Sequence, residues 1–279
     1  MIAHRSLTFL ILIAGWIIPH ASCLLASPNN NAPNISGSRG TTTPRTFEFA
    51  PNGVCINPSY FADGEKVFTM RNVPGEGDCM FLAVALAAAT SLGLGGNDVL
   101  LQAISRETRA VVAQVLNSPT GNLHIEGDRI VPARTLLQSA AKQEGLSPDE
   151  YLERLLKEGR NGGLYGGGPE LTVLSNILRR PISIYEVPKN SKKNQKVDDL
   201  FVTNPDGTVT CPIKCMGVFG DPVFADPCAQ IPNSAVLSGI QPGAYSWHLH
   251  ILVLNVSNGE KHACVLLPQS PTTASPPAP

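Results

Sequence analysis

A thiol is a useful nucleophile only as its thiolate, and Cys79 stands where the sequence favours one, at the junction between a glycine-containing turn and a strongly apolar stretch. The turn, Val73 to Asp78, carries Gly75 and Gly77, which permit tight backbone geometry, while Met80 to Ala89 consists of good helix formers. Cys79 is therefore expected at a helix N-terminus, where free N–H groups and partial positive charge lower a thiol's pKa, and a nearby imidazolium adds to the effect. The same N–H groups, with those of the preceding loop, are placed to hold the oxyanion formed when a thiolate attacks an acyl carbon. A cysteine is also a common small residue at the start of a core helix, so by itself it is only a candidate.

A base must come from elsewhere in the chain. Two β-type runs, His250 to Val256 and Lys261 to Leu267, flank Ser257-Asn258-Gly259-Glu260, and an Asn-Gly pair between such runs signals a hairpin. His262 then lies near the start of the returning strand. If Asn258 and Gly259 form a two-residue loop, Asn255 falls directly across from His262, and Cys264 shares its face. His248 and His250 compete as bases at the entrance of the first run, both on one face; His124 reads as a loop residue, and His4 and His20 belong to the leader.

The elements that must position these groups are mostly helical signals followed by β signals. Continuous apolarity over Met80 to Ala89 predicts a helix buried on most sides. From Val99 to Leu116, Leu101, Ile104, Val111, Val112 and Val115 recur at helical spacing, with Arg106, Glu107 and Arg109 read onto the opposite face. Pro132 starts another helix, closed by Gly145, and Ser147, Pro148 and Glu150 form a capping-box signature for one ending near Gly159. After the glycine-rich turn Gly162 to Gly168, helical pattern resumes over Pro169 to Leu178. Arg180-Pro181 stops it before the β-type run that starts at Ile182. Residues 188–246 read as an inserted or extended loop region, with one short strand around Leu200 to Val202.

The chain has 279 residues, 43% hydrophobic and 15% charged with a net charge of -1, enough for one catalytic domain and without the basic footprint of a nucleic-acid binder. Residues 1–25 have the layout of a targeting segment, with His4 and Arg5, an apolar run from Leu7 to Ile18 and small residues beyond it. That layout implies the secretory pathway or an organelle, and a cytoplasmic protein if the segment is not used; the run is short for a stable membrane span. Residues 26–60 read as a flexible leader, 61–268 as the domain and 269–279 as a disordered tail. Of the seven cysteines none forms the paired doublets of a zinc site, and no metal or cofactor is implied. Cys211, Cys215 and Cys228 are either a disulfide cluster of an oxidising compartment or unpaired loop thiols. Asn34-Ile35-Ser36 and Asn255-Val256-Ser257 are glycosylation sequons in a secreted chain, and a glycan on Asn255 would sit beside the candidate base.

Three blocks, in order along residues 66–268, resemble a known family. Gly75-Glu76-Gly77-Asp78-Cys79-Met80-Phe81 is similar to the nucleophile motif of the OTU (ovarian tumour) cysteine proteases. Tyr165 to Leu171 with Leu174-Ser175 and the segment Pro181 to Tyr185 resemble that family's aromatic-Gly-Gly, Glu-Leu, Leu-Ser block and following strand, with Tyr165 where Trp is usual. The Ile251 to Leu267 hairpin resembles the strand pair that carries its histidine. The resemblance implies an α+β, papain-like OTU fold, a helical part packed on a small central β-sheet with a C-terminal hairpin. It further implies a deubiquitinase acting on ubiquitin or polyubiquitin chains. Cys79 would attack the carbonyl of ubiquitin's C-terminal glycine, His262 would act as base and then acid, and Asp78 would lend mainly its backbone to the oxyanion loop. Ala263 and Cys264 follow His262 where the family has an aromatic and then Asp or Asn, so Glu76 and Asn255 are both candidates to orient the imidazole. Two alternatives stand beside this reading: a ubiquitin-binding OTU fold that has lost catalysis, and a secreted cysteine hydrolase acting on another protein.

Overall fold

The computed structural model describes residues 47–75, 77–91, 98–125, 129–188, 200–220, 248–255 and 261–269. The targeting segment, most of the leader, Glu76, Cys228, residues 189–199 and 221–247, the Asn258-Gly259 turn and the tail beyond Gln269 lie outside the described residues.

The described residues open with four strands, β1 (Glu48–Phe49), β2 (Cys55–Asn57), β3 (Tyr60–Asp63) and β4 (Lys66–Arg71), so the described fold already includes residues ahead of Tyr60. Helices α1 (Cys79–Ser91) and α2 (Asp98–Leu116) follow, then the hairpin β5 (Asn122–Ile125) and β6 (Arg129–Pro132). Next come α3 (Ala133–Gln143), α4 (Pro148–Leu156) and α5 (Gly168–Leu178), and finally strands β7 (Ile182–Glu186), β8 (Val202–Thr203), β9 (Val209–Pro212), β10 (Lys214–Phe219), β11 (Leu249–Asn255) and β12 (Lys261–Pro268). The architecture is α+β, as expected, but the sheet is not small. Among the described residues eight strands form one mixed sheet, in the order β10-β7-β11-β12-β4-β3-β9-β8. The stretch read as a loop supplies three of these strands, β8, β9 and β10, and with them both edges of the sheet. Their own alternation is weak because strands at or next to a sheet edge need little apolar sequence; neighbouring strands impose the conformation.

Alternation along the central strands builds a core on each face. Ile251, Ala263 and Val265 belong with α1, α2 and the other helices, whereas Leu252, Cys264 and Leu266 belong with Phe61, Phe68, Met70 and Tyr185. Helix α1 packs on β12 and α2, and nine of its residues are buried, which explains why its sequence has no polar face. The capping box predicted for α4 is present: Ser147 accepts from the Glu150 N–H, and the Glu150 carboxylate accepts from the Ser147 N–H at 2.8 Å. The Tyr151 hydroxyl of α4 donates to Glu170, whose other oxygen accepts from the Gly167 N–H at 2.8 Å, so α4 anchors the start of α5 and the glycine-rich turn before it. That turn presses on α1 so closely that a Cβ on Gly166 would lie 3.0 Å from the Met80 Cβ.

Candidate active site

Strand β4 delivers the chain to the helix-side core at Val73, and the turn that follows carries it to Cys79, the first residue of α1. Gly77 in this turn has φ +87°, and a Cβ there would lie 2.6 Å from the Cα of Gly159, so the nucleophile loop can approach the α4–α5 connection only with glycine at this position. Cys79 is buried, and burial pushes its thiol above the ordinary value of 9.0. The N–H groups of Ala263, Met80 and Cys79 itself pull in the opposite direction, and the charge of Asp78 adds to the rise. The expected depression by the helix terminus is therefore outweighed: desolvation of the thiolate is the larger effect.

His262 follows Lys261 on β12, next in the chain to the Ala263 N–H that meets the sulfur. Its Nε2 lies 2.7 Å from Asn72 Oδ1, and the Cys264 thiol donates to the same oxygen at 3.5 Å. An amide oxygen only accepts, so Nε2 carries the proton and Nδ1 keeps its lone pair. Nδ1 faces the nucleophile loop, since a Cβ on Gly75 would lie 3.6 Å from it. Burial holds the imidazole below its ordinary 6.5, in the neutral form a base requires.

Both groups are thus pushed toward neutrality, and no preformed thiolate–imidazolium pair is favoured in the resting site. Alkylation of Cys79 by iodoacetamide, followed peptide by peptide by mass spectrometry from about pH 6 to about pH 10, is expected to keep climbing through pH 9. The sign follows from the raised thiol: its thiolate fraction grows tenfold per pH unit until the folded-state pKa is passed. A rate that levels off below about pH 8 would mean that an ion pair supplies the thiolate instead.

The cross-strand expectation for Asn255 is corrected. In the observed register Leu254 pairs with His262 and Asn255 with Lys261, one residue out of step with a two-residue Asn258-Gly259 loop. Asn255 is exposed at the end of β11. Glu76 lies outside the described residues. The amide that reaches the imidazole comes from Asn72, at the end of β4.

Asp78 does more than lend its backbone. Its carboxylate pairs with Arg109 of α2, whose Nε donates to Oδ1 at 2.8 Å, and the Gly159 N–H donates to the same oxygen at 3.2 Å. Arg109 is 1% exposed, which corrects its assignment to an outer helix face. Its remaining donors reach the carbonyls of Leu155 (3.1 Å), Leu164 (3.0 Å) and Gly77 (3.3 Å), and its guanidinium lies 4.2 Å over the Phe81 ring.

The loop, the nucleophile helix and the glycine-rich turn fall within residues 74–208, which match the family model for OTU-like cysteine protease. Over that segment the chain is similar to an OTU domain. The match stops short of Asn72 on one side and of His262 on the other. Three of the solved structures with similarity to the chain are described as OTU domains. A Hazara virus OTU bound to ubiquitin is 16% identical, with a TM-score of 0.40 over 78% of this chain and 90% of that one. A viral OTU domain protease from Dera Ghazi Khan virus is 15% identical, with a TM-score of 0.38 over 81% and 96%. The OTU domain of OTUD1 is 13% identical, with a TM-score of 0.35 over 72% and 85%. A search of curated protein sequences gave no match.

The rival histidines are engaged elsewhere. His250 Nδ1 lies 3.1 Å from the Tyr185 hydroxyl and His248 Nδ1 3.1 Å from that of Ser183, both on β7. His250 pairs with Leu266, which places it on the order of 13 Å along the strands from His262. His124 lies on β5, where its backbone N–H and carbonyl bond the Asn176 side chain. Cys215 carries a free thiol, as do Cys55, Cys79 and Cys264. Among the described residues no group of three or more His, Cys, Asp and Glu could hold a metal ion, and no helix is long and apolar enough to cross a membrane.

Asn72 and Arg109 are the residues that the sequence reading missed. For Arg109 a signal existed: Leu101, Ser105, Arg109, Val112 and Leu116 are all buried and form one helical stripe, with the arginine at its centre. For Asn72 the signal was weaker, a polar residue closing the alternating strand Lys66 to Arg71 shortly before the nucleophile.

Proposed function

We propose that the OTU domain is a cysteine-dependent deubiquitinase, with Cys79 as nucleophile, His262 as general base and Asn72 as the residue that orients the imidazole. The observation that carries this reading is the convergence of β4, the nucleophile loop and β12. Asn72 Oδ1 holds His262 Nε2 at 2.7 Å, Gly75 lies against the other side of the ring, and the Cys79 sulfur meets Ala263 beside it. His262 Nδ1 takes the thiol proton as Cys79 attacks the carbonyl of ubiquitin's C-terminal glycine. The N–H groups of the loop and of the first turn of α1 receive the oxyanion, and the imidazolium protonates the departing lysine amine. Water, activated by the same imidazole, then releases ubiquitin from the thioester. Ubiquitin as substrate follows from the motif resemblance and from the family that the domain matches. Asn72 also speaks for an active enzyme over a ubiquitin-binding relic, because it supplies the amide that Cys264 does not.

The test is covalent labelling of the full chain by ubiquitin with a C-terminal thiol-reactive group. Wild type is expected to gain the mass of one ubiquitin, and Cys79→Ala to gain none. A folded wild type that stays unlabelled would sink the deubiquitinase reading in favour of the binding relic or another substrate.

A further inference from the structure

We infer that Arg109 is the positioning residue of the nucleophile loop and that it acts on acyl transfer through Asp78 without touching a reacting atom; the inference rests on the deubiquitinase reading above. A loop with glycine on both sides of Glu76 is intrinsically permissive, yet the oxyanion needs N–H groups already aimed at it. Something outside the loop must fix its orientation. Arg109 contributes its whole inventory of donors to that end: Nε and Nη2 to the Asp78 carboxylate, Nη2 also to the Gly77 carbonyl, and Nη1 to the carbonyls of Leu155 and Leu164. Leu155 and Leu164 bracket the connection whose Gly159 touches Gly77 and donates to Asp78. One buried guanidinium thus ties the nucleophile loop to the segment it rests on, while Phe81 of α1 lies beneath its plane. Lysine keeps the charge at this position but has no planar fork and cannot reach four acceptors at once.

The experiment compares wild type, Arg109→Lys and Asp78→Asn as full chains in two reactions at Cys79. Hydrolysis of a ubiquitin C-terminal fluorogenic amide passes through an oxyanion; alkylation by iodoacetamide displaces iodide and forms none. Both variants are expected to lose about 10- to 100-fold in kcat, with KM changed by less than about threefold and alkylation by less than about threefold. Equal losses in both reactions would reduce Arg109 to a purely structural role, and an unchanged kcat in either folded variant would overturn the inference. If Arg109→Lys does not fold, Asp78→Asn, which keeps shape and an acceptor, decides alone. A folded wild type that hydrolyses no ubiquitin amide would overturn the deubiquitinase reading itself, and this inference with it.

Discussion

Replacing His262 with alanine is expected to lower kcat/KM for a ubiquitin C-terminal amide by about 10³- to 10⁴-fold, roughly the loss produced by Cys79→Ala. The reason lies in the electrostatics of the resting site. Burial holds the thiol above 9.0, so at neutral pH less than about one part in a hundred is thiolate without help from a base. His262, neutral and with Nδ1 unprotonated, is that help, and its removal leaves neither a proton acceptor for attack nor a donor for the leaving amine. A loss of 10³ to 10⁴ corresponds to about 4–5.5 kcal/mol of transition-state stabilisation. If nucleophile and base act as one unit, as proposed, the double variant should be little worse than either single one. Steady-state kinetics on folded variants decides the matter: a loss of only tenfold for His262→Ala, or a comparable loss for His248→Ala, would mean that the base is a different group.

The second large effect concerns Asn72, proposed to act through the imidazole that its amide oxygen holds. Asn72→Ala removes the acceptor of both the His262 Nε2–H and the Cys264 thiol, leaving a buried ring free to turn or to take the wrong tautomer. The expected cost is about 10²-fold in kcat, with KM nearly unchanged. Asn72→Asp tests the role more sharply. A carboxylate at that place favours the imidazolium and so raises the pKa of His262 from the depressed value that burial gives it. The base then stays protonated to a higher pH, and the acid limb of the kcat/KM profile moves upward. A purely structural role for Asn72 would change stability and leave that limb where it was. An acid limb that does not move in Asn72→Asp, together with a full rate in Asn72→Ala, would remove Asn72 from the site.

Local signals carried the helical half of the molecule. The all-apolar run after Cys79, the capping box at Ser147 and Glu150, and the break at Arg180-Pro181 each describe a structure that forms within a few residues of itself, and each element is found where its signal stands. Strands β9 and β10 and the hairpin β5–β6 escaped notice, because short strands take their conformation from partners distant in sequence, whereas β8 falls at the short strand expected around Leu200 to Val202. Position in the helical repeat was also legible but was overruled by residue type: Arg109 was read outward because it is charged, although its neighbours on the stripe are buried.

What the sequence by itself determined was therefore the local chemistry and its frame. A thiol heads a buried helix after a glycine turn, a histidine stands near the start of the last strand, and the motifs around them resemble those of one family. The tertiary structure alone decided which groups meet. The register of β11 against β12 set Leu254 rather than Asn255 beside His262, a shift of one residue that turns a strand's side chains to the opposite face. The pairing of β12 with β4 brought Asn72 to the imidazole across 190 residues of chain, and the packing of α2 under the nucleophile loop brought Arg109 to Asp78. Desolvation, a property of the assembled core, then reversed the direction in which the helix terminus alone would have moved the thiol.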